Sequence, residues 1–377
     1  MSDALSGDKV GAKPLGAERQ DCEAQPDEVH MARAVELAWT VRTRTSPNPW
    51  VGCIIVDEAG NVVGEGATAP PGGPHAEVKA LEMAGERARG ASVYVTLEPC
   101  AHVGRTPPCT DALVRAGVRR VIAAIEDPDP KVAGAGFGAL EASGIEVSTG
   151  TLATTVSEQL CPYLVHRSTG RPYVVLKLAM TLDGRTAAPD GSSRWITALE
   201  ARRDVHRLRV ESDAVVVGAA TVRRDDPELT VRDHSERKDG HIVNDLVEDE
   251  QRQPLRVVLG HVPEGARVLP ALELQGDLGA VLDELGARGV VQVLVEGGSH
   301  VAYAFHSAGL VNRYVWYIAP VFLGGDDGKP VFAGPGAPTM AEAWRGRLIS
   351  VRQLGADVRI DVEPELAGES DSPAARN

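Results

Sequence analysis

The sequence predicts two α/β domains in tandem, each a sheet with helices on both faces. Three observations carry this expectation. At 377 residues the chain exceeds one ordinary compact domain. Short runs rich in Val, Ile and Leu alternate with helical segments, the pattern of strands buried between helix layers. The alternation restarts after the polar connector Ser168-Thr169-Gly170, at the apolar run Tyr173-Val174-Val175-Leu176.

Residues 1–27 mix Gly, Pro and charge without apolar periodicity and are expected to be a disordered tail, as are residues 367–377. The first domain, 28–150, opens with a helix from Glu28. The turn-rich Ser46-Pro47-Asn48-Pro49 then leads into a buried strand over residues 51–56. A helix is predicted from His75, strands over 92–97 and 119–125, a short helix over 137–143 and a last strand over 145–148. Residues 151–170 read as a helical connector. The second domain, 171–366, has strands at 173–180, 214–217, 256–259, 291–295 and 313–319, and a helix over 199–209. Residues 233–253 break this rhythm with dense charge and are expected to form a mobile surface insertion.

Hydrophobic residues at 43% and charged residues at 24% suit a globular protein, while aromatics at 4% leave the cores to Val, Leu, Ile and Ala. The 39 Lys+Arg against 53 Asp+Glu give a formal charge of −14, a field that repels polyanions. No dense basic run with interleaved aromatics offsets it, so no nucleic-acid partner is expected. No apolar stretch of about 18 residues marks a membrane span, and the first residues lack the apolar segment of a secretory signal. A cytoplasmic homo-oligomer acting on a small molecule is the expectation. Of the five cysteines, Cys22, Cys53 and Cys161 have no partner pattern and read as free thiols. Cys100 and Cys109 stand in a different context.

His75-Ala76-Glu77 follows Pro70-Pro71-Gly72-Gly73-Pro74 at a helix start, where the backbone dipole is positive. Glu98-Pro99-Cys100 closes a strand, and Pro108-Cys109 follows it. One imidazole and two thiolates (His75, Cys100, Cys109) make the three-ligand set of a catalytic zinc site with its fourth position open. Zinc brings the pKa of a bound water toward neutrality. Glu77, two residues past His75, is placed to move protons rather than bind metal. The alternative is a closed structural zinc knot with His102 as fourth ligand, which leaves Glu77 without a purpose.

The order His-x-Glu, then Pro-Cys, then Cys resembles the zinc nucleobase deaminases, whose signature has two residues between the cysteines. Here eight intervene. That longer loop, within the segment from Thr96 to Pro130, and Ser46-Pro47-Asn48-Pro49-Trp50-Val51-Gly52 resemble the deaminase domain of the bifunctional riboflavin biosynthesis proteins. The resemblance implies a cytidine-deaminase-like three-layer domain. It also implies that Asn48, His102 and Arg105 contact a phosphoribosylated pyrimidine, Arg105 at its phosphate. Taken alone, Asn48 reads as an Asx-turn and Arg105 as solvated surface. The residues leave open whether Trp50 touches ligand or packs.

Gly134-Ala135-Gly136-Phe137-Gly138-Ala139 matches G-x-G-x-x-A, yet Glu126-Asp127-Pro128-Asp129-Pro130 separates it from the preceding strand and no acidic residue follows at the ribose distance. A loop entering a helix is expected there. Glu296-Gly297-Gly298-Ser299 instead joins a buried strand directly to a helix, where paired glycines admit a pyrophosphate to the helix N-terminus. Alone, this pair reads equally as a turn.

Its neighbours Lys177–Arg185, Ser193–Thr197 and Gly218–Pro227 resemble the reductase domain of the same family. The resemblance spans nearly all of residues 28–365 and implies a dihydrofolate-reductase-like α/β fold. It implies nicotinamide-cofactor contacts at Ala179, Trp195, Thr221, Asp225, Gly297 and Gly298. Substrate contacts are implied at Lys177, Ser193, Arg209, Arg232 and Glu296. Core packing is the plain reading of Trp195, and a solvated helix end that of Arg209. Relatives carry Asp-Ser where this chain has Gly260-His261, which bears on NADPH against NADH. The expectation is therefore zinc-dependent deamination followed by NADPH-dependent ribosyl reduction, with one zinc per chain. The rival is a deaminase carrying a non-reducing structural second domain.

Overall fold

The computed structural model describes residues 26–104, 106–130, 132–231 and 253–365. The expected tails, apart from Pro26 and Asp27, and the 233–253 insertion, apart from Gln253, lie outside the described residues, as do Arg105 and Arg232.

The first domain runs α1 (Pro26–Thr45), β1 (Gly52–Val56), β2 (Val62–Ala67), α2 (Ala76–Ala84), β3 (Ser92–Leu97), α3 (Cys109–Ala116), β4 (Arg120–Ile125), α4 (Ala135–Ala142) and β5 (Glu146–Thr149). α1 extends two residues into the stretch assigned to the tail, for a physical reason. Pro26 suits a first helical position, and Asp27 and Glu28 complement the N-terminal dipole. Asp27 is also held by the Tyr94 hydroxyl at 2.7 Å and by Arg120 at 3.0 Å.

The sheet order is β2-β1-β3-β4-β5. β1 is antiparallel to both neighbours, whereas β3, β4 and β5 are parallel. Consecutive residues Cys53, Ile54 and Ile55 are all 0% exposed although their side chains alternate, so both faces of the sheet are covered. The approach of α2 to the sheet depends on Gly66: a Cβ there meets the Ala76 carbonyl oxygen at 2.1 Å. This contact fixes the helix start that bears His75 and Glu77.

The stretch read as a connector is α5 (Ala153–Thr169). Its Val156, Leu160 and Tyr163 belong to the core of the first domain, while Cys161 and Val165 pack on a core of the second. Val291 from the second half reaches into the first core. The two halves thus share packed surface through α5.

The second domain follows as β6 (Tyr173–Thr181), β7 (Arg185–Ala187), α6 (Leu199–Val210), β8 (Ala214–Gly218), α7 (Ala219–Asp225), β9 (Leu255–Leu259), β10 (Leu272–Leu274), α8 (Leu278–Ala287) and β11 (Gln292–Val295). It ends with α9 (Ser299–Ser307), β12 (Arg313–Ala319), β13 (Lys329–Pro330), β14 (Gly346–Leu354) and β15 (Asp357–Pro364). The main sheet has the order β10-β9-β8-β11-β6-β12-β15-β14. It is parallel from β10 to β12 and antiparallel at β15 and β14. Alternate residues feed opposite cores: Val174, Leu176, Val216 and Val293 on one face, Val175, Val215, Val217 and Leu294 on the other. In such a sheet ligands bind outside the carboxyl ends of the parallel strands, where Gly218 and Glu296 lie.

Candidate active sites

The first site forms where two helix N-termini meet the end of β3. His75 is the N-cap of α2, Cys109 the first residue of α3, and Cys100 lies three residues past β3. The Thr110 backbone N–H donates to the Cys100 carbonyl at 3.3 Å, tying the two cysteine segments together. His75 Nδ1 stands 3.2 Å from Cys109 Sγ and 3.6 Å from Cys100 Sγ. All three ligand atoms lie within 4.8 Å of one another. Tetrahedral zinc with bonds of about 2.0 Å to nitrogen and about 2.3 Å to sulfur spans N···S edges of about 3.6 Å. The donor set and spacing therefore fit zinc. Among the described residues, His102 is not part of this cluster but exposed on the inter-cysteine loop, so the set is three-ligand and open.

The electrostatics suit that reading. The Cys109 thiol donates to the Cys100 sulfur and brings the Cys100 pKa down to about 4, while the same bond and burial push Cys109 up. His75 is raised, first by its hydrogen bond with Cys100. Glu77 is only 4% exposed, and burial, followed by the negative Cys100, raises its pKa. A carboxyl shifted upward beside a metal site is suited to both taking and giving a proton. His75 Nε2 faces the Thr106 hydroxyl at 3.5 Å, a neighbour that sequence reasoning missed.

Asn48 is half-buried, and its turn is made by its backbone N–H donating to the Thr45 carbonyl at 2.9 Å. Trp50 is 4% exposed and packs in the first core, with the Arg42 guanidinium 5.3 Å from its ring. The G-x-G-x-x-A segment is a loop entering α4, as expected from its context. Its N-terminus is already occupied by a carboxylate. Glu98 accepts from the backbone N–H groups of Asp127 (3.2 Å), Gly134 (3.0 Å) and Gly136 (2.8 Å). A Cβ on Gly136 meets the Pro99 carbonyl oxygen at 2.0 Å, so this glycine serves the close approach of the Pro99-Cys100 segment. Glu98 was not singled out from sequence, although an acid immediately before Pro-Cys was the available signal.

The second site gathers at the carboxyl ends of β6, β8 and β11. Arg209, near the end of α6, is no solvated helix end. Its Nε and Nη2 donate to the Glu296 carboxylate at 2.6 and 3.0 Å, and Nη1 donates to the Thr230 carbonyl at 3.0 Å. Their side chains are 12% and 9% exposed. Burial raises the Glu296 pKa, but Arg209 and then Lys177 outweigh it, and the net shift is downward. Lys177 is lowered by burial, against the pull of Glu296. Three residues implied as substrate contacts thus form one buried charged group.

The residues implied for the cofactor lie around it. Gly298 is the N-cap of α9, and a Cβ there comes 3.6 Å from the Thr221 hydroxyl. A Cβ on Gly297 meets the Val301 side chain at 2.4 Å. This narrow cradle at a helix N-terminus fits a pyrophosphate. Asp225 ends α7 with its carboxylate on Arg224 at 3.0 Å, while its carbonyl accepts from Arg194 at 2.8 Å. That bond brings the Ser193-Arg194-Trp195 segment to the same edge. Core packing does not describe Trp195, which is 70% exposed with the Arg202 guanidinium 4.5 Å from its ring centroid. Ala179 pairs with Tyr317 across β6 and β12. His261, just past β9, is exposed and contacts Glu273 at 3.0 Å.

Comparison with known proteins finds relatives for both halves of the chain. Residues 24–125 match the cytidine and deoxycytidylate deaminase zinc-binding region, and residues 172–360 match the RibD C-terminal domain. The riboflavin biosynthesis protein RibD of Escherichia coli K12 is 42% identical over 362 residues, covering 88% of this chain and 98% of its own. The Mycobacterium tuberculosis protein of the same name is 43% identical over 342 residues, covering 88% and 96%. Among solved structures, Acinetobacter baumannii RibD (form 1) superposes with a TM-score of 0.82 at 39% identity, covering 90% of this chain and 99% of that one. A diaminohydroxyphosphoribosylaminopyrimidine deaminase/5-amino-6-(5-phosphoribosylamino)uracil reductase from Thermotoga maritima gives 0.76 at 32% identity, with coverage of 90% and 99%. With both family regions in order and relatives matched along nearly their whole length, the chain belongs to the RibD family of riboflavin biosynthesis proteins.

Proposed function

We propose that this chain carries out two consecutive steps of riboflavin biosynthesis at its two sites. It is a bifunctional enzyme, a zinc-dependent deaminase joined to an NADPH-dependent reductase. The deaminase replaces the exocyclic 2-amine of 2,5-diamino-6-ribosylamino-4(3H)-pyrimidinone 5′-phosphate by oxygen, consuming water and releasing ammonia. The reductase then converts the ribosyl group of that product to ribityl.

In this reading His75, Cys100 and Cys109 would hold the zinc, which when bound would bring the pKa of a water at the site toward neutrality. Glu77 takes a proton from that water and delivers it to the departing amine. Asn48, His102 and Arg105 bind the substrate. In the second domain Gly297, Gly298, Thr221, Ala179, Trp195 and Asp225 would hold NADPH, which when bound would supply hydride. Lys177, Arg209, Glu296, Ser193 and Arg232 orient the sugar phosphate.

The observation that carries the proposal is the buried Glu77 beside three converging ligand atoms. A purely structural second domain is not favoured. Burying Lys177, Arg209 and Glu296 together at strand ends costs desolvation that a structural module has no need to spend. The test is the zinc-loaded chain with the diamino substrate and NADPH. Ribitylamino product and loss of nicotinamide absorbance are expected, and deamination without NADPH oxidation would leave only the first half standing. A homo-oligomeric, cytoplasmic enzyme is part of the proposal. Light scattering tests the first point, and the use of cysteine as thiolate ligand supports the second.

A further inference from the structure

Two of the three clustered ligand side chains are built into helix starts: His75 is the N-cap of α2 and Cys109 the first residue of α3. Cys100 stands in irregular chain, three residues past the end of β3. A helix start is fixed by the hydrogen bonds of its own helix, whereas an irregular segment takes its position from the contacts made around it. The contacts on either side of Cys100 therefore decide where its sulfur lies.

On the C-terminal side the Cys100 carbonyl accepts from the Thr110 backbone N–H at 3.3 Å and from the Thr110 hydroxyl at 3.4 Å. On the N-terminal side the anchor is Glu98. Its backbone N–H donates to the Ile125 carbonyl at 3.0 Å, tying it to the end of β4. Its side chain is turned inward, the residue being 4% exposed, and both carboxylate oxygens are engaged. Oε2 accepts from the Asp127 and Gly134 amides at 3.2 and 3.0 Å. Oε1 accepts from the Gly136 and Phe137 amides at 2.8 and 3.4 Å. A carboxylate offers acceptors on both oxygens, where an amide of the same shape offers only one.

Pro99 is the single residue between this clamp and Cys100, and its ring locks one of its two backbone dihedrals. A displacement of Glu98 thus passes to Cys100 with little slack. The start of α4 also lies directly against this link, since a Cβ on Gly136 meets the Pro99 carbonyl oxygen at 2.0 Å. Among the described residues Glu98 is not part of the ligand cluster, and its oxygens face amides instead.

We infer that Glu98 is a positioning residue of the metal centre: by clamping the 127–137 segment, its carboxylate sets the Cys100 sulfur where the metal meets it. The inference rests on reading His75, Cys100 and Cys109 as a zinc site. Partners that orient a metal ligand from behind contribute about 10–100-fold to metal affinity, which is the scale expected here.

The test measures cobalt(II) affinity of the full chain by chelator competition, with thiolate-to-cobalt charge-transfer absorbance as the readout of sulfur ligation. Four proteins are compared: wild type, Glu98→Gln, Cys100→Ser and the double variant. Glutamine matches glutamate in shape but turns an NH2 group toward two amide donors, so it separates acceptor function from space filling. Glu98→Gln is expected to keep the wild-type circular dichroism yet bind cobalt about 10–100-fold more weakly, with less charge-transfer absorbance per bound ion. In the Cys100→Ser background the same substitution should cost about twofold at most, because no thiolate remains for the clamp to place. Equal affinity in Glu98→Gln and wild type would overturn the inference. So would a loss of equal size in both backgrounds, including one caused by unfolding of the first domain, since Glu98 would then be a general support. A wild-type chain that binds neither cobalt nor zinc would overturn the metal reading itself and this inference with it, which keeps the two failures distinct.

Discussion

Removing the Arg209 guanidinium isolates the electrostatics of the second site. In Arg209→Ala the Glu296 carboxylate loses hydrogen bonds of 2.6 and 3.0 Å. At 9% side-chain exposure it recovers little hydration, and Lys177 is left as its neighbouring cation. Stripping one partner from a buried ion pair costs about 3–5 kcal/mol, because the surviving charge stays desolvated. For a domain of this size each kcal/mol lowers the melting temperature by about 2–4 °C, so a fall of about 10 °C is expected by calorimetry.

The penalty should depend on pH. In the wild-type protein the Glu296 pKa is lowered, so its contribution is present above the unfolded carboxyl pKa and is lost as pH falls through the folded value. In the variant burial dominates and the folded pKa rises above the unfolded one, so stability returns as pH falls through it. The gap between the two proteins therefore narrows from roughly pH 7 toward pH 4. Arg209→Ala/Glu296→Gln should regain part of the loss at pH 7. A gap of equal size at both pH values, with no recovery in the double variant, would refute the buried-charge argument. Kinetically, Arg209→Ala should raise the reductase KM more than it lowers kcat, since the guanidinium serves ground and transition states alike.

Glu77→Gln should keep zinc near one per chain yet lower deamination by about two to four orders of magnitude, while NADPH oxidation with the deaminated substrate persists. Loss of zinc in that variant, read by metal analysis, would make Glu77 a metal-binding group instead. Cys109→Ser should lose zinc and deamination together, and full activity with one metal equivalent would mean that the third ligand lies elsewhere. Glu98→Ala removes the acceptor of the Asp127, Gly134 and Gly136 amides, so those amides should exchange faster by hydrogen–deuterium measurement. Unchanged protection there would show that α4 holds its entry without the carboxylate.

The cluster of His75, Cys100 and Cys109 with Glu77 beside it, the strands β1, β3 to β6, β8, β9, β11 and β12, and the order of the domains were legible in the sequence. Each is written in local patterns: a short motif, an apolar run, a helix start. The β14–β15 hairpin was legible too, as period-two alternation around the positive-φ Gly355, but went unremarked. Other features are set by residues distant in the chain and were decided only by the tertiary fold. Arg209 and Glu296 are 87 positions apart, and only the packing of α6 beside β11 turns a nominal helix end into a buried ion pair. Trp195 reads as core by residue type but is held outside, because the Arg194 bond to the Asp225 carbonyl fixes its segment at the sheet edge. The G-x-G-x-x-A loop was recognisable as a poor dinucleotide site, yet only the fold supplied the reason, the Glu98 carboxylate on its amides. The apparent connector 151–170 became a helix shared by two cores, since a residue's partners across a domain boundary leave no trace in its own periodicity.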